Sequence, residues 1–339
     1  MRKGLFTLLS LVCAGLIWAA PAPANAADKI VIRFAHSNTP SDMDPYHALV
    51  TKMNDKLVKK LGADRIEIQE FPAGQIGSEE RSFQDVQQGV IQIASLASNN
   101  AAVFAPSLYV IDLPYLFRTN QEGWAILDKY WDELNAKTIK ESGNRIIGWL
   151  DLGYRHVCNS KRPIRTIEDL KGLKIRVPNN PVMINTFRAW GCEPTPLAWD
   201  ETFNALQQKV VDGQENSYVV FASNKFEEVQ KYMTELRYKL QIIVMVVNDT
   251  WLKKQPADIQ QAILEGGRLA TKHNREMIMA MEARLKPAMK KAGVEILDKP
   301  EDENVWEEKA MALWPDLYPK IGNLDLLDKM MADMHRKRP

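Results

Sequence analysis

Cysteine and histidine are scarce in this sequence, with three of the first and five of the second among 339 residues. The histidines are scattered, so a zinc site has little to draw on. Acids and bases nearly cancel to a formal charge of +1, which gives no sign of a nucleic-acid surface or a polybasic membrane patch. Three enzyme signatures are missing: G-x-S-x-G, H-E-x-x-H and any Cys–His arrangement in recognisable context. The G-x-x-x-x-G-K loop that cradles nucleotide phosphates is absent as well. Past the N-terminus no apolar run reaches transmembrane length, and there is no internal repeat or low-complexity linker. These absences lead us to expect no metal, no cofactor, no catalytic residue and no nucleic-acid partner. An exported hydrolase would need a nucleophile and base, or a pair of acids, set in a cleft.

What is present begins with a leader. Arg2 and Lys3 precede the apolar run "LFTLLSLVCAGLIWAA", and "PAPANAADK" follows. A charged start, an apolar centre and the small-residue site Ala24-Asn25-Ala26 describe a secretory signal peptide, cut after Ala26. Losing Arg2 and Lys3 moves the formal charge from +1 to −1. Cys13 lacks the small preceding residue of a lipid-attachment cysteine. The expectation is an exported, soluble protein resident in the periplasm. Two cysteines remain, Cys158 and Cys192. In an oxidising compartment they could form one disulfide, or stand as two buried free thiols in different elements.

With 45% hydrophobic and 26% charged residues the chain is of ordinary globular composition and about two domains long. Its elements alternate. "KIVIRFAHS" (29–37) reads as a buried strand, "PYHALVTKMNDKLVKKL" (45–61) as an amphipathic helix and "RIEIQEFP" (65–72) as a strand. A helix starts at Ser78 with acids in its first turn. "IQIASLAS" and "LYVIDLPYLF" continue the pattern into a helix near 121–142 and the strand 145–153. In the second half "RHVCNS", "KIRVP" and "EPTPLA" read as strands, 181–191 and 200–211 as helices, the latter capped by Asp200, and "DGQENS" as a turn. "LQIIVMVVND" (240–249) is an apolar strand that returns to the first domain. Residues 256–293 form a nearly continuous helix, with a bend at Gly266-Gly267 and a kink or break at Pro287. The fold class is α/β with mainly parallel sheets.

One strand poses a functional question. In "LKGLKIRVPNNPV" (170–182), Ile175 and Val177 share one face, and Lys174 and Arg176 share the other. Arg176 therefore sits at a strand tip, where open α/β sheets bind their ligands. Its planar, permanently charged fork matches a carboxylate in two parallel hydrogen bonds; a solvated edge is the plain alternative.

Linked motifs over most of the mature chain resemble the solute-binding proteins of tripartite ATP-independent periplasmic (TRAP) transporters, DctP type. They are "FPAGQIGSEERSFQDVQQGVIQIA" (71–94), "IDLPYLFR" (111–118), "GYRHVCNSKRPIRTIEDLKGLKIRVPNNPV" (153–182), "GCEPTPLAWDETFNALQQKVVDGQEN" (191–216) and "KFEEVQKYM" (225–233). The resemblance implies two α/β lobes, joined by crossing strands and a long helix, that close on one ligand. Lobe I would comprise 27–152 plus about 242–280, and lobe II 153–241 plus about 281–339. By the same resemblance Arg176 binds the ligand's carboxylate, Arg155 is a second ligand arginine, Asn216 offers an amide, and Trp199 lines the pocket. Glu80, His36 and Asn179 are weaker ligand candidates. The implied ligand is a small organic acid: a uronate-like sugar acid, a C4-dicarboxylate or an aromatic acid. The implied partner is a permease of two membrane subunits driven by an ion gradient, served by a monomeric receptor. A ligand-binding subunit for a sensor protein has the same ligand chemistry and stands as the alternative, with the hydrolase.

Overall fold

The computed structural model describes residues 29–40 and 44–339. The expected leader, its cleavage site and Cys13 lie outside them. The described strands are β1 (Ile30–Ala35), β2 (Ile66–Phe71), β3 (Ile93–Ala97), β4 (Asn144–Tyr154), β5 (His156–Asn159), β6 (Lys174–Val177), β7 (Glu193–Pro196), β8 (Gly213–Asn216), β9 (Tyr232–Thr234), β10 (Leu240–Asn248) and β11 (Glu295–Leu297). They form two sheets, ordered β2-β1-β3-β10-β4 and β11-β9-β5-β8-β6-β7. Parallel pairs join β1 to β2 and β3, and β6 to β7 and β8. In each sheet one strand runs against its neighbours: β10 against β3 and β4, and β5 against β8 and β9.

That antiparallel element arises because the chain crosses between sheets on adjacent strands. β4 runs into β5 across Arg155, and the chain comes back from β9 into β10 through 235–239. The two crossings touch, since the Arg155 amide donates to the Lys239 carbonyl at 2.9 Å.

Local chemistry sets the helices that bear on the cleft. The helix Pro45–Leu61 starts at Asp44, whose side chain accepts from the His47 amide at 2.9 Å, with proline at its first turn. It buries Leu49, Val50, Met53 and Leu57, spaced to fall on one face. Ser78 caps the helix Glu79–Gln87 through the Arg81 amide. The helix Ala257–Lys291 is 35 residues long and packs on the helix Pro45–Leu61, on β4 and on the helix Tyr218–Ser223 of the second half. It also holds β4 by polar contacts. Thr271 accepts from the Trp149 amide at 3.0 Å, and Asn274 exchanges bonds with the Asp151 backbone.

Several expectations are revised by the structure. The long helix is continuous, as expected, through Gly266 and Gly267, and it does not break at Pro287, which lies inside it. Gly267 serves close approach instead, because a Cβ there would stand 2.1 Å from the Ile147 carbonyl oxygen of β4. The segment read as the turn "DGQENS" is the central strand β8. Gly213 makes this feasible, since a Cβ there would lie 2.1 Å from the Cys158 oxygen on β5. The helix near 121–142 is two, Asn120–Lys129 and Trp131–Ser142, and "LYVIDLPYLF" contributes a 3-10 turn, Pro106–Asp112, rather than a strand. The helix expected from Asp200 begins at Thr202.

The chain end packs on both halves. Trp306 and Ala310 pack with Trp190 and Phe187 in the second half, but Trp314, Leu317, Leu326 and Met330 join the core around Leu108 and Leu116 in the first. Cys158 and Cys192 are free buried thiols in separate cores, the second of the two arrangements left open by the sequence. No helix among the described residues is long and apolar enough to cross a membrane.

Gly267→Ala is expected to force the long helix off β4. Overpacking of this kind lowers stability by about 1–3 kcal/mol, and chemical denaturation would measure the loss.

Candidate functional site

A small cavity lined from both halves of the chain lies between the two sheets. The first half lines it with Ser37 and Asn38 after β1, Tyr46 on the helix Pro45–Leu61, Glu79 at its helix start, and Ala97, Asn99 and Asn100 after β3. Gln241 enters from β10. The second half brings Arg155, Arg176, Pro178, Trp199, Asn216 and Val220. One bond closes over the cleft: Asn180 caps the helix Pro181–Ala189 and donates across to the Asn99 carbonyl at 2.7 Å.

Arg176 is placed by β6. Ile175 and Val177 sink into the second-half core, which turns Arg176 to the opposite face, and β6 pairs with β7 and β8 on its two sides. Exposed Lys174 shares that face one pair earlier, so position along the strand decides which cation is buried. Arg176 is 1% exposed. Its Nε and Nη2 both donate to the Leu197 carbonyl, at 3.1 and 2.7 Å, which occupies one edge of the guanidinium and leaves the Nη1/Nη2 end. The guanidinium carbon lies 5.7 Å from the centre of the Trp199 ring. Among the described residues no carboxylate pairs with Arg176. Burial pulls its pKa down to about 10.

Arg155 is equally buried but differently satisfied. Its Nε and Nη2 grip the Glu215 carboxylate, and Tyr238 donates to the same carboxylate at 2.5 Å. Burial opposes the Arg155 charge, yet Glu215 beside it outweighs that and holds the pKa above the ordinary value. Breaking a buried pair leaves a charge uncompensated, which costs about 3–5 kcal/mol. Glu215→Gln is expected to destabilise the protein by that order, measurable by urea unfolding.

Of the other expected residues, Asn216 and Trp199 line the cavity and three do not. Asn216 ends β8, donates to Gln214 at 3.2 Å and carries a buried oxygen with no partner. Trp199 sits edge-on to Phe226 with ring centres 5.6 Å apart. Glu80 lies outside the lining, and its neighbour Glu79 takes the place expected of it. The first residue of the capped helix points inward; the second does not. His36 is buried behind the cavity, stacked on Tyr46 at 5.4 Å and bonded to Glu70 at 2.8 Å. Asn179 is exposed, and it is Asn180 that reaches inward. Tyr46, Asn99, Asn100 and Gln241 were not foreseen. The polar triplet Ser98-Asn99-Asn100 directly after the wholly buried β3 was the available signal. Among the described residues no cluster of His, Cys, Asp and Glu is arranged to hold a metal.

The family described as "Bacterial extracellular solute-binding protein, family 7" (DctP) matches residues 34–320. The chain belongs to this family. Members are binding receptors rather than enzymes, so neither the hydrolase nor the sensor-subunit alternative fits. Among relatives of the receptor, a solute-binding protein of Verminephrobacter eiseniae is 33% identical over 243 residues, 72% of each chain. The 2,3-diketo-L-gulonate-binding periplasmic protein YiaO of Escherichia coli is 30% identical over 78% of this chain and 80% of its own. A TRAP periplasmic solute-binding protein from Rhodobacter sphaeroides, solved in an apo open form, is 36% identical with TM-score 0.73, covering 88% of this chain and 97% of that one. The Polaromonas protein bound to D-erythronate is 26% identical with TM-score 0.83 over 89% and 98%. A third, from Xanthobacter autotrophicus with β-D-galacturonate, is 26% identical with TM-score 0.81 over 88% and 98%. The two-lobed TRAP receptor fold is thus that of this chain.

Proposed function

We propose that this receptor captures a small organic acid by closing its lobes on the ligand, with the carboxylate held end-on by Arg176. The carrying observation is a cation that is 1% exposed, faces a cavity and lacks a carboxylate partner. Taking a guanidinium out of water without a counterion is unfavourable. Depression of its pKa from 12.5 to about 10 corresponds to about 3 kcal/mol against the charged form, present in full at neutral pH, where Arg176 is charged folded and unfolded alike. A bound carboxylate would reverse that penalty through two charge-assisted hydrogen bonds, roughly 1.5–3 kcal/mol each.

In this reading Arg155 is chiefly a strut, locked by Glu215, that offers its remaining terminal nitrogen to the ligand. Asn216 contributes an amide, and Trp199 an apolar wall against which ligand and guanidinium both rest. The lobes are residues up to about 152 with β10, and 153–239 with β11, hinged at Arg155 and Lys239. The mature protein works in the periplasm after cleavage near Ala26, as a monomer. Its closed form docks on a TRAP permease of two membrane subunits that uses an ion gradient. Relatives bound to a sugar acid and a uronate support an acid of this size.

Refolded protein freed of carried ligand would be screened against carboxylates by thermal shift. A ligand at a hundred times its Kd adds about 2.7 kcal/mol, a shift easily seen. Arg176→Met is expected to weaken binding about a hundredfold or more while leaving the unliganded midpoint unchanged or higher, since it removes a charge buried at a penalty. Binding that survives the substitution would remove Arg176 from the site.

A further inference from the structure

The charges around the cavity do not balance, and the imbalance bears on which acids can enter. Arg155 is neutralised by Glu215, and Lys239, buried behind Asn99, is neutralised by Asp112 at 2.8 Å. That leaves Arg176 and Glu79. Glu79 is 6% exposed and lines the cavity from the opposite lobe. It accepts from the Ser37 hydroxyl at 2.6 Å, the Ala97 amide at 3.0 Å and the Asn100 side chain at 2.7 Å. The Ala97 amide and the Asn100 side-chain nitrogen can only donate, which favours the ionised carboxylate against the burial that pushes its pKa up, and no cation pairs with it among the described residues. Once one ligand carboxylate has met Arg176, no unpaired cation remains for a second, which would instead face Glu79.

Building on the receptor reading above, we infer that Glu79 is the specificity-determining residue of the cleft, admitting monocarboxylates that carry hydroxyl groups and rejecting dicarboxylates. A carboxylate has about four lone-pair sites, and three donors already occupy Glu79. The site left suits a single O–H better than an ammonium, which needs three acceptors. The remaining wall points the same way. Buried side-chain oxygens of Asn216 and Gln241 lack partners, and both residues line the cavity. A hydroxyl both donates and accepts, so it satisfies an amide in either orientation, whereas a carboxylate can only accept. Like charges brought together in a dry cleft repel far more strongly than in water. Discrimination therefore comes from what Glu79 repels as much as from what it binds.

The test uses pairs of acids that differ only at the far end, where a hydroxymethyl group in one is a carboxylate in the other. Erythronate with meso-tartrate and galactonate with galactarate are two such pairs, and 4-aminobutanoate with 4-hydroxybutanoate adds an ammonium arm. Titration calorimetry on the refolded full receptor is expected to give at least about a hundredfold preference for the monocarboxylate in the pair that fits. Glu79→Gln keeps the shape and the Ala97 and Asn100 contacts, with the Ser37 hydroxyl turned to accept from the new amide, and should narrow that ratio at least tenfold, mainly by strengthening the dicarboxylate. A dicarboxylate bound as tightly as its partner by the native protein overturns the inference, and that comparison needs no variant. So does an unchanged ratio in Glu79→Gln, or an ammonium acid that outbinds its hydroxy counterpart. If such a dicarboxylate is lost in Arg176→Met, the receptor reading stands while this inference falls. If no acid of any pair binds, both fall together.

Discussion

A guanidinium without water and without a carboxylate organises this receptor. Folding brings Arg176 to the tip of β6, seals it beneath Trp199 and gives it only the Leu197 carbonyl. Among the described residues it is the one buried cation at the cavity with no carboxylate partner. Arg155 is tied to Glu215 and Tyr238, and Lys239 to Asp112. The two satisfied cations tie the crossing strands to β8 and to the 3-10 turn Pro106–Asp112. The third is reactive in the electrostatic sense, since the surrounding fold tolerates its burial and an anion relieves it.

The crossing itself depends on glycines that let backbones touch. Gly213 allows β8 to lie between β5 and β6, and Gly267 lets the long helix rest directly on β4. Because β8 ends in Asn216, the first of these contacts also sets the height at which an amide enters the cavity. Packing and site geometry are the same problem at this point in the chain. A side chain at Gly213 would move the cavity-facing end of the strand along with its core.

Much of this was legible in the sequence, and the misses have physical causes. Period-two alternation identified β6 and put Arg176 on the face opposite Ile175 and Val177, apolar spacing placed the helix beginning at Pro45, and capping chemistry the one after Ser78. Local patterns could not show that "DGQEN" is a strand, because its turn-like residues are held there by pairing with distant β5 and β6. Choosing between Glu79 and Glu80 required a helix rotation that adjacency in sequence does not supply. Asn180 was hidden for a similar reason, as its neighbour Asn179 looks identical in composition but faces water. Gln241 could not be recognised because the strand around it reads as continuous core. That the final helices pack on both halves was not legible, because Trp306 and Trp314 both read simply as buried tryptophans, although they serve different cores.

That last return of the chain has a mechanical meaning. Two touching strand crossings alone act as a flexible strip, about which the lobes could both bend and twist. The link from Trp306 in one core to Trp314 in the other fastens the lobes a third time. Trp190 donates to the Trp306 carbonyl, Trp314 to the Pro114 carbonyl, and Arg118 pairs with Glu307. Lobes opening about the strand crossings would have to carry this third link with them, which would limit twisting and return Glu79 and Arg176 to the same register.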